Sequence, residues 1–272
     1  MLNELSKGPL TERMPIFFFG HGSPMNAILE NEYTRTLTAL GAKIPRPQAI
    51  LMISAHWETR GMTRVTAMQN PKTIHDFGCF PQALFEVQYP ARGDPALAHR
   101  VQEVVKDPTV QADLKDWGLD HGTWSVLRHL YPHADIPVVQ LSIDMSREPE
   151  YHFNIGRQLS SLRDAGVLIL GSGNIVHNLR RIIWAPDATP YDWAVEFDAW
   201  MKEQLLKGDY QSILKDYHKT EAGRLSIPSM EHYLPLAFIL GASVDGDDLR
   251  FEYEEIQMGS LSMRSLSLGR GL

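Results

Sequence analysis

Five short runs rich in apolar and β-branched residues punctuate the chain: Ile16 to Phe19, Ala49 to Ser54, Arg64 to Met68, Pro137 to Ser142 and Val167 to Gly171. Between and beyond them, stretches with helical spacing run from Glu32 to Leu40, Pro95 to Lys106, Thr123 to Tyr131, Pro149 to Asp164 and Ala194 to Leu206. Buried strands alternating with helices predict a sheet covered on both faces, an α/β fold built as a three-layer α/β/α sandwich. Towards the end, Leu249 to Ile256 alternates in polarity and Ser260 to Leu268 is rich in Ser and Leu. These read as late strands running antiparallel to the rest, so the sheet is expected to be mixed but largely parallel. The Pro- and Gly-bearing stretch from Asn70 to Asp94 reads as a long surface loop, and such loops in compact domains are often functional.

Composition narrows the classes. A chain of 272 residues with 43% hydrophobic content can bury one large core, and no linker divides it, so a single domain is expected. The formal net charge of -7 argues against a nucleic-acid partner, because binding to a phosphate backbone is driven by clustered Lys and Arg. The opening MLNELSKGPLTER lacks an apolar segment of signal-peptide length, and no hydrophobic run approaches the roughly 20 residues that cross a bilayer. A soluble, cytoplasmic protein without a membrane partner is expected. Cys79 is the only cysteine, so an intramolecular disulfide is impossible and any metal must be held by imidazole and carboxylate.

Four histidines sit in Gly-, Ser- or aromatic-flanked segments beside apolar runs: His21 in FFFGHGSP, His56 in ILMISAHW, His177 in LILGSGNIVHN and His232 in MEHYLPLAFIL. Histidine is the commonest side chain for holding a transition metal, and the C-terminal edge of an open α/β sheet is where ligands bind. A single strand-end histidine is better read as satisfied by a backbone carbonyl; several delivered to one edge weaken that reading. Gly20 and Gly22 allow a sharp turn beside His21, while HGS lacks the serine-hydrolase elbow and GSGNIV is not a dinucleotide fingerprint. His232 follows Ser229, a candidate N-cap of the next apolar helix, and a helix N-terminus favours the neutral imidazole that ligates metal. His121 in LDHGTW, next to a helix start, and His75 in TIHDFGCFP, within the long loop, are candidates to line a pocket. His99, His129, His133, His152 and His218 read as surface or structural.

Eight segments together give the chain a close resemblance to the class III extradiol ring-cleavage dioxygenases, and within them to the 4,5-DOPA dioxygenase branch. They are GHGSPMN at 20 to 26, SAHW at 54 to 57, TIHDFGCFPQALF at 73 to 85, DHGTWSVL at 120 to 127, VQLSID at 139 to 144, GSGNIVHNL at 171 to 179, EHYLPL at 231 to 236 and MGSLSM at 258 to 263. The resemblance spans nearly the whole chain, with an N-terminal extension over 1–14 and the catalytic domain over 15–272. It implies a non-haem metal enzyme that opens the ring of a catechol such as L-DOPA beside its two hydroxyls, using O2 and yielding a seco-DOPA semialdehyde. It further implies one divalent ion, Fe2+ for activity with Zn2+ also able to occupy the site.

On that resemblance His21 and His56 are metal ligands and His232 is the third, with Glu231 the alternative, since protocatechuate-cleaving relatives use a carboxylate there. His177 matches the catalytic base, or a fourth ligand when zinc is bound. His121 matches a histidine that contacts substrate and oxygen. His75 and Tyr233 are candidates for the substrate pocket, and Phe77, Phe80 and Phe85 are placed to pack against a ring. Two other readings stay open: a zinc hydrolase in which His177 assists an activated water, and a metal- or ligand-binding module without turnover. The presence of both His177 and His121, which a purely structural metal would not need, counts against the module. The partners expected are a small catechol and O2; the oligomeric state is not read from the sequence.

Overall fold

The apolar runs become the strands of one sheet in the computed structural model, which describes residues 13–185 and 187–270. The extension expected over 1–14 lies outside these residues except for Arg13 and Met14. In chain order the strands are β1 (Ile16–Gly20), β2 (Ala49–Thr59), β3 (Thr63–Thr66), β4 (Val110–Asp113), β5 (Val138–Asp144), β6 (Val167–Gly173), β7 (Asp248–Tyr253), β8 (Ile256–Gln257), β9 (Leu261–Ser262) and β10 (Ser265–Gly269). The main sheet has the order β4-β3-β5-β2-β6-β1-β10-β7, and β8 pairs with β9 apart from it. Its centre, β5-β2-β6-β1, is parallel. β10 runs antiparallel to both β1 and β7, so the sheet is mixed, but of the late strands in it only β10 opposes the parallel centre, while β7 runs with it; β3 is also antiparallel to β5.

The helices are α1 (Glu32–Lys43), α2 (Gln82–Phe85), α3 (Pro95–Val104), α4 (His121–Leu130), α5 (Pro149–Leu159), α6 (Asp192–Lys207), α7 (Tyr210–Lys215), α8 (Glu221–Ser226) and α9 (Leu234–Ala242). Alternation along each buried strand divides the core in two. Phe17, Phe19, Ile50 and Met52 pack on one face against Leu37 of α1 and Trp124 and Leu127 of α4. Ile16, Phe18, Leu51 and Ile53 pack on the other against α3, α5, α6 and α9, through Val101, Ile155, Met201 and Phe238. Each such side chain stabilises the fold by roughly 1.5–3 kcal/mol relative to exposure. Every residue of α9 is buried, and it approaches α5 across two glycines. A Cβ on Gly156 would stand 2.1 Å from the Phe238 carbonyl oxygen, and one on Gly241 would stand 2.0 Å from that of Phe153. No helix among the described residues is long and apolar enough to cross a membrane.

Four differences from the sequence pattern have local causes. β4, with the sequence VQAD, lies at the sheet edge with its two central residues exposed, so it carries no apolar run. β2 continues past Ser54 to Thr59, but its register with β5 breaks between Ile53 and Glu58. The helix expected over Pro149 to Asp164 stays α-helical only to Leu159, then tightens into a 3-10 turn, Ser160–Ala165, closed by Gly166 at φ 76°. The stretch expected to be a loop from Asn70 to Asp94 contains the single turn α2, whose Leu84 is anchored in the core. The short helices α7 and α8 have no counterpart in the sequence reading.

Candidate metal and active site

One end of the sheet gathers the histidines. His21 follows β1 directly, and its backbone N–H donates to the Gly173 carbonyl at the end of β6, 3.0 Å away. His56 does not follow the strand, as expected, but sits inside β2, in the stretch where the register with β5 lapses. That lapse leaves room for α4 only because residue 122 is glycine: a Cβ there would stand 2.4 Å from Ser54 Oγ and 2.9 Å from His56 Cδ2. His121 opens α4 itself, whose N-cap Asp120 accepts the Thr123 N–H. His177 leaves β6 and donates its backbone N–H to the Ser226 carbonyl at 2.9 Å. His232 lies between α8 and α9, its carbonyl accepting the Asn174 N–H at 2.9 Å.

The rings of His21, His56 and His232 form a nearly equilateral triangle, with centroids 5.1, 5.2 and 5.0 Å apart. One nitrogen from each lies within 4.8 Å of the others. Their outer edges are engaged. Ser172 Oγ donates its single proton to the Gly122 carbonyl at 2.6 Å, so it can only accept from His21 Nδ1 at 2.9 Å. His232 Nδ1 donates to Glu231 Oε1 at 3.2 Å, and Ser229 Oγ donates to the same oxygen at 2.8 Å. His56 Nδ1 faces Asp76 Oδ2 at 3.2 Å. With each Nδ1 turned to an oxygen, Nε2 is the nitrogen each ring can offer to a metal, the arrangement by which metal-binding histidines are oriented.

A divalent ion suits this donor set. His21 Nε2 and His56 Nε2 are 3.2 Å apart, close enough for one to donate to the other and also for both to face one cation. Two imidazoles on one zinc ion at its usual bond length would be separated by about 3.3 Å. Burial pushes all three imidazoles well below the usual histidine range, and their mutual proximity adds to it, so they are neutral and competent to ligate.

Two further histidines flank the triangle without joining it. His121 lies 3.8 Å from His56 between ring centroids and 5.6 Å from His21, and its nitrogen groups with His56 and Asp76. His177 stacks on His232 and groups with it and Glu231. Burial, reinforced by His121, lowers the His177 pKa to about 4, below the usual imidazole value of 6.5. Burial alone would raise the Asp76 carboxyl, but the His121 and His56 imidazoles hold it below the usual range. Behind His121, the buried Asp120 is raised by burial and by Asp76, and it accepts bonds from Ser54 Oγ and Gln140 Nε2.

Several expectations are corrected. Tyr233 is only 1% exposed and turns into the core, where its hydroxyl donates to the Ile213 carbonyl at 2.8 Å; it is a packing residue, not a pocket contact. His75 is bonded through Nε2 to the Val87 carbonyl at 2.9 Å, lies 5.9 Å from Phe77 between ring centroids and belongs to none of the groups able to hold a metal. Phe77 lies nearly perpendicular to the His121 ring at 5.5 Å, with Phe80 and Phe85 at 5.5 and 5.0 Å from it. Ser229 does not cap α9, whose N-cap Tyr233 has no side-chain bond; it braces Glu231. Sequence reasoning missed Asp76 and Ser172. Asp76 stands between His75 and Phe77 in a segment already singled out, and Ser172 lies in another, GSGNIVHNL, where nothing local marks it as the partner of a ring 151 residues away.

The family described as the catalytic LigB subunit of aromatic ring-opening dioxygenase matches residues 16–262. A protein named 4,5-DOPA dioxygenase extradiol from Escherichia coli (strain K12) is 52% identical over 259 residues, covering 94% of this chain and 95% of its own. One of the same name from Beta vulgaris is 36% identical over 255 residues, covering 92% and 94%. Among solved structures, an uncharacterized Escherichia coli K12 protein superposes with a TM-score of 0.83 at 45% identity, covering 94% of this chain and 100% of that one. A match over residues 16–262, which hold seven of the main sheet's eight strands and all five clustered histidines, with relatives this similar over most of their lengths, means that the chain belongs to the LigB family of aromatic ring-opening enzymes, the class III extradiol dioxygenases.

Proposed function

We propose that this protein cleaves a 4-substituted catechol, with L-DOPA the leading candidate, at one divalent metal ion held by His21, His56 and His232. The observation that carries the reading is the triangle of neutral imidazoles, each with its Nδ1 turned to Ser172, Asp76 or Glu231, so that Nε2 is the nitrogen it can offer to a metal. Three protein ligands leave adjacent positions open, which a catechol needs in order to chelate through both oxygens. Iron(II), if held by these three residues, would supply the redox chemistry of ring opening, which zinc would not.

The chain's own residues account for the rest. His177, beside His232 and outside the triangle, is unprotonated at neutral pH and is assigned the base that takes a catechol hydroxyl proton at one of its ring nitrogens. His121 turns Nδ1 towards Asp76, which leaves Nε2 to hydrogen-bond the substrate or oxygen. Phe77 offers an apolar edge to an aromatic ring and helps exclude water. The DOPA preference follows the names of the relatives at 52% and 36% identity.

The test is anaerobic loading with iron(II), followed by oxygen-electrode assays against a panel of catechols. L-DOPA or a near analogue should drive oxygen uptake and give a yellow semialdehyde, while tyrosine and singly O-methylated catechols should not, because chelation needs two adjacent hydroxyls. No uptake with any catechol at full iron occupancy would overturn the proposal.

A further inference from the structure

Asp76 touches two rings at once. Its Oδ2 lies 3.2 Å from His56 Nδ1, and its Oδ1 lies 3.0 Å from His121 Nδ1. The same Oδ1 accepts the backbone N–H of His121 at 3.0 Å, at the first turn of α4. Asp76 Oδ2 and His121 Nδ1 are both buried and make no hydrogen bond of regular geometry, so the short contacts within this grouping are the only polar compensation near them. The bare role available to Asp76 is that of a helix-end acceptor. The second oxygen, aimed at His56, is not needed for that.

We propose that Asp76 is a positioning residue that sets the tautomers of His56 and His121 together and ties the loop over residues 70–94 to the metal-holding set. The inference rests on the functional reading above. An ionised carboxylate only accepts hydrogen bonds, so an imidazole nitrogen facing it is stabilised as N–H. His56 is thereby held with Nε2 free towards His21, and His121 with Nε2 free towards the substrate. A ligand whose outer nitrogen is held this way binds metal more tightly, and losing the partner typically costs 10- to 100-fold in affinity.

The loop is stitched so that residue 76 arrives at this point. Ile74 N–H donates to the Leu119 carbonyl at 2.7 Å, and Trp124 Nε1 donates to the Ile74 carbonyl at 2.8 Å. His75 is held by the Val87 carbonyl, and the next residue after Asp76, Phe77, rests on the His121 ring. One short segment therefore supplies both the carboxylate that orients the rings and the aromatic edge beside them. A change at Asp76 is expected to act on the metal and on the substrate wall together.

The experiment compares wild type, Asp76→Asn and Asp76→Glu as metal-free proteins titrated with Zn2+ against a chromogenic chelator, alongside 15N NMR of histidine-labelled protein. Asparagine keeps the size and one acceptor oxygen for the His121 amide, but it places an NH2 group, a donor, opposite His56. Asp76→Asn should bind Zn2+ roughly 10- to 100-fold more weakly, with the thermal midpoint of the metal-free protein moved by less than about 4 °C. Asp76→Glu, which restores a carboxylate, should recover part of the affinity. In wild type the His56 ring should be protonated at Nδ1, and in Asp76→Asn at Nε2.

Equal affinity in Asp76→Asn and wild type, or a wild-type His56 protonated at Nε2, would overturn the role of Asp76 while leaving the metal triangle intact. A wild-type protein that binds neither Zn2+ nor Fe2+ would overturn both. If Asp76→Asn does not fold, the wild-type NMR spectrum and the Asp76→Glu titration decide the matter.

Discussion

The imidazole of His177 lies face to face with that of His232, with ring centroids 3.5 Å apart and planes 10° from parallel. Stacking sets it beside the triangle without adding its nitrogens to those of His21 and His56. His232 thus has Glu231 on its outer edge and His177 on its face. A base in that position is adjacent to whatever the triangle holds while remaining free to exchange a proton.

His177→Ala should therefore keep metal affinity within a few-fold and lose roughly 10²- to 10⁴-fold in turnover. Metal titration and steady-state oxygen uptake on the same preparation give the two numbers. Loss of metal together with turnover would make His177 a ligand, and unchanged turnover with metal bound would remove it from the chemistry.

His21→Ala or His56→Ala should abolish stoichiometric metal binding, because two remaining imidazoles are too few to hold the ion tightly. His75→Ala should not, since its Nε2 is committed to the Val87 carbonyl. Elemental analysis after metal loading and desalting checks all three variants. Retained stoichiometric metal in His21→Ala would disprove the triangle.

Ser172→Ala removes a hydroxyl that is 0% exposed and serves two partners, the His21 ring and the Gly122 carbonyl. Leaving both unsatisfied should destabilise the metal-free fold by about 1–3 kcal/mol. It should also weaken metal binding, because His21 is no longer held in its Nδ1–H form. Urea unfolding and a Zn2+ titration report the two effects, and a variant as stable and as tight as wild type would refute this role.

Acid should destabilise the metal-free protein in a defined window. His152 accepts the Asp144 N–H at Nε2, donates from Nδ1 to the Glu148 carbonyl, and is held at about 4 chiefly by burial, against 6.5 when unfolded. Because the folded value is depressed, the unfolded chain takes up a proton that the native state refuses between these values. Stability is therefore complete above about 6.5 and falls progressively towards pH 4, by roughly 3 kcal/mol from this residue. Urea midpoints from pH 7 to 4.5 should show the decline, and His152→Gln should show a shallower one. An identical slope in the two proteins would exclude His152 as a cause.

How much of this was legible in the sequence depended on whether a feature is local. The strands β1, β2, β5 and β6 could be read because burial on both faces forces near-continuous apolar runs, visible without any partner. His21, His56, His121, His177 and His232 could be singled out because each sits beside such a run or a helix start, where a chain turns and side chains reach the sheet edge. β4 could not be read, since an edge strand exposed on its central residues needs no apolar signature. Tyr233 was misassigned for a related reason: its neighbour His232 faces the triangle, and the path of the chain through this turn sends the next side chain into the core.

The sequence alone determined the α/β sandwich, the presence of strands at the end of the chain and six histidines worth watching, five of which the fold clusters, because periodicity and residue type are properties of neighbours along the chain. Tertiary structure decided which histidines share a centre, since β1, β2 and the turn before α9 meet only once the sheet is assembled. It also decided each ring's orientation, through Ser172, Asp76 and Glu231, two of which come from elements remote in sequence from the rings they hold. A hydrogen bond or a lone pair aimed at a metal is a relation in space, and no spacing along the chain encodes it.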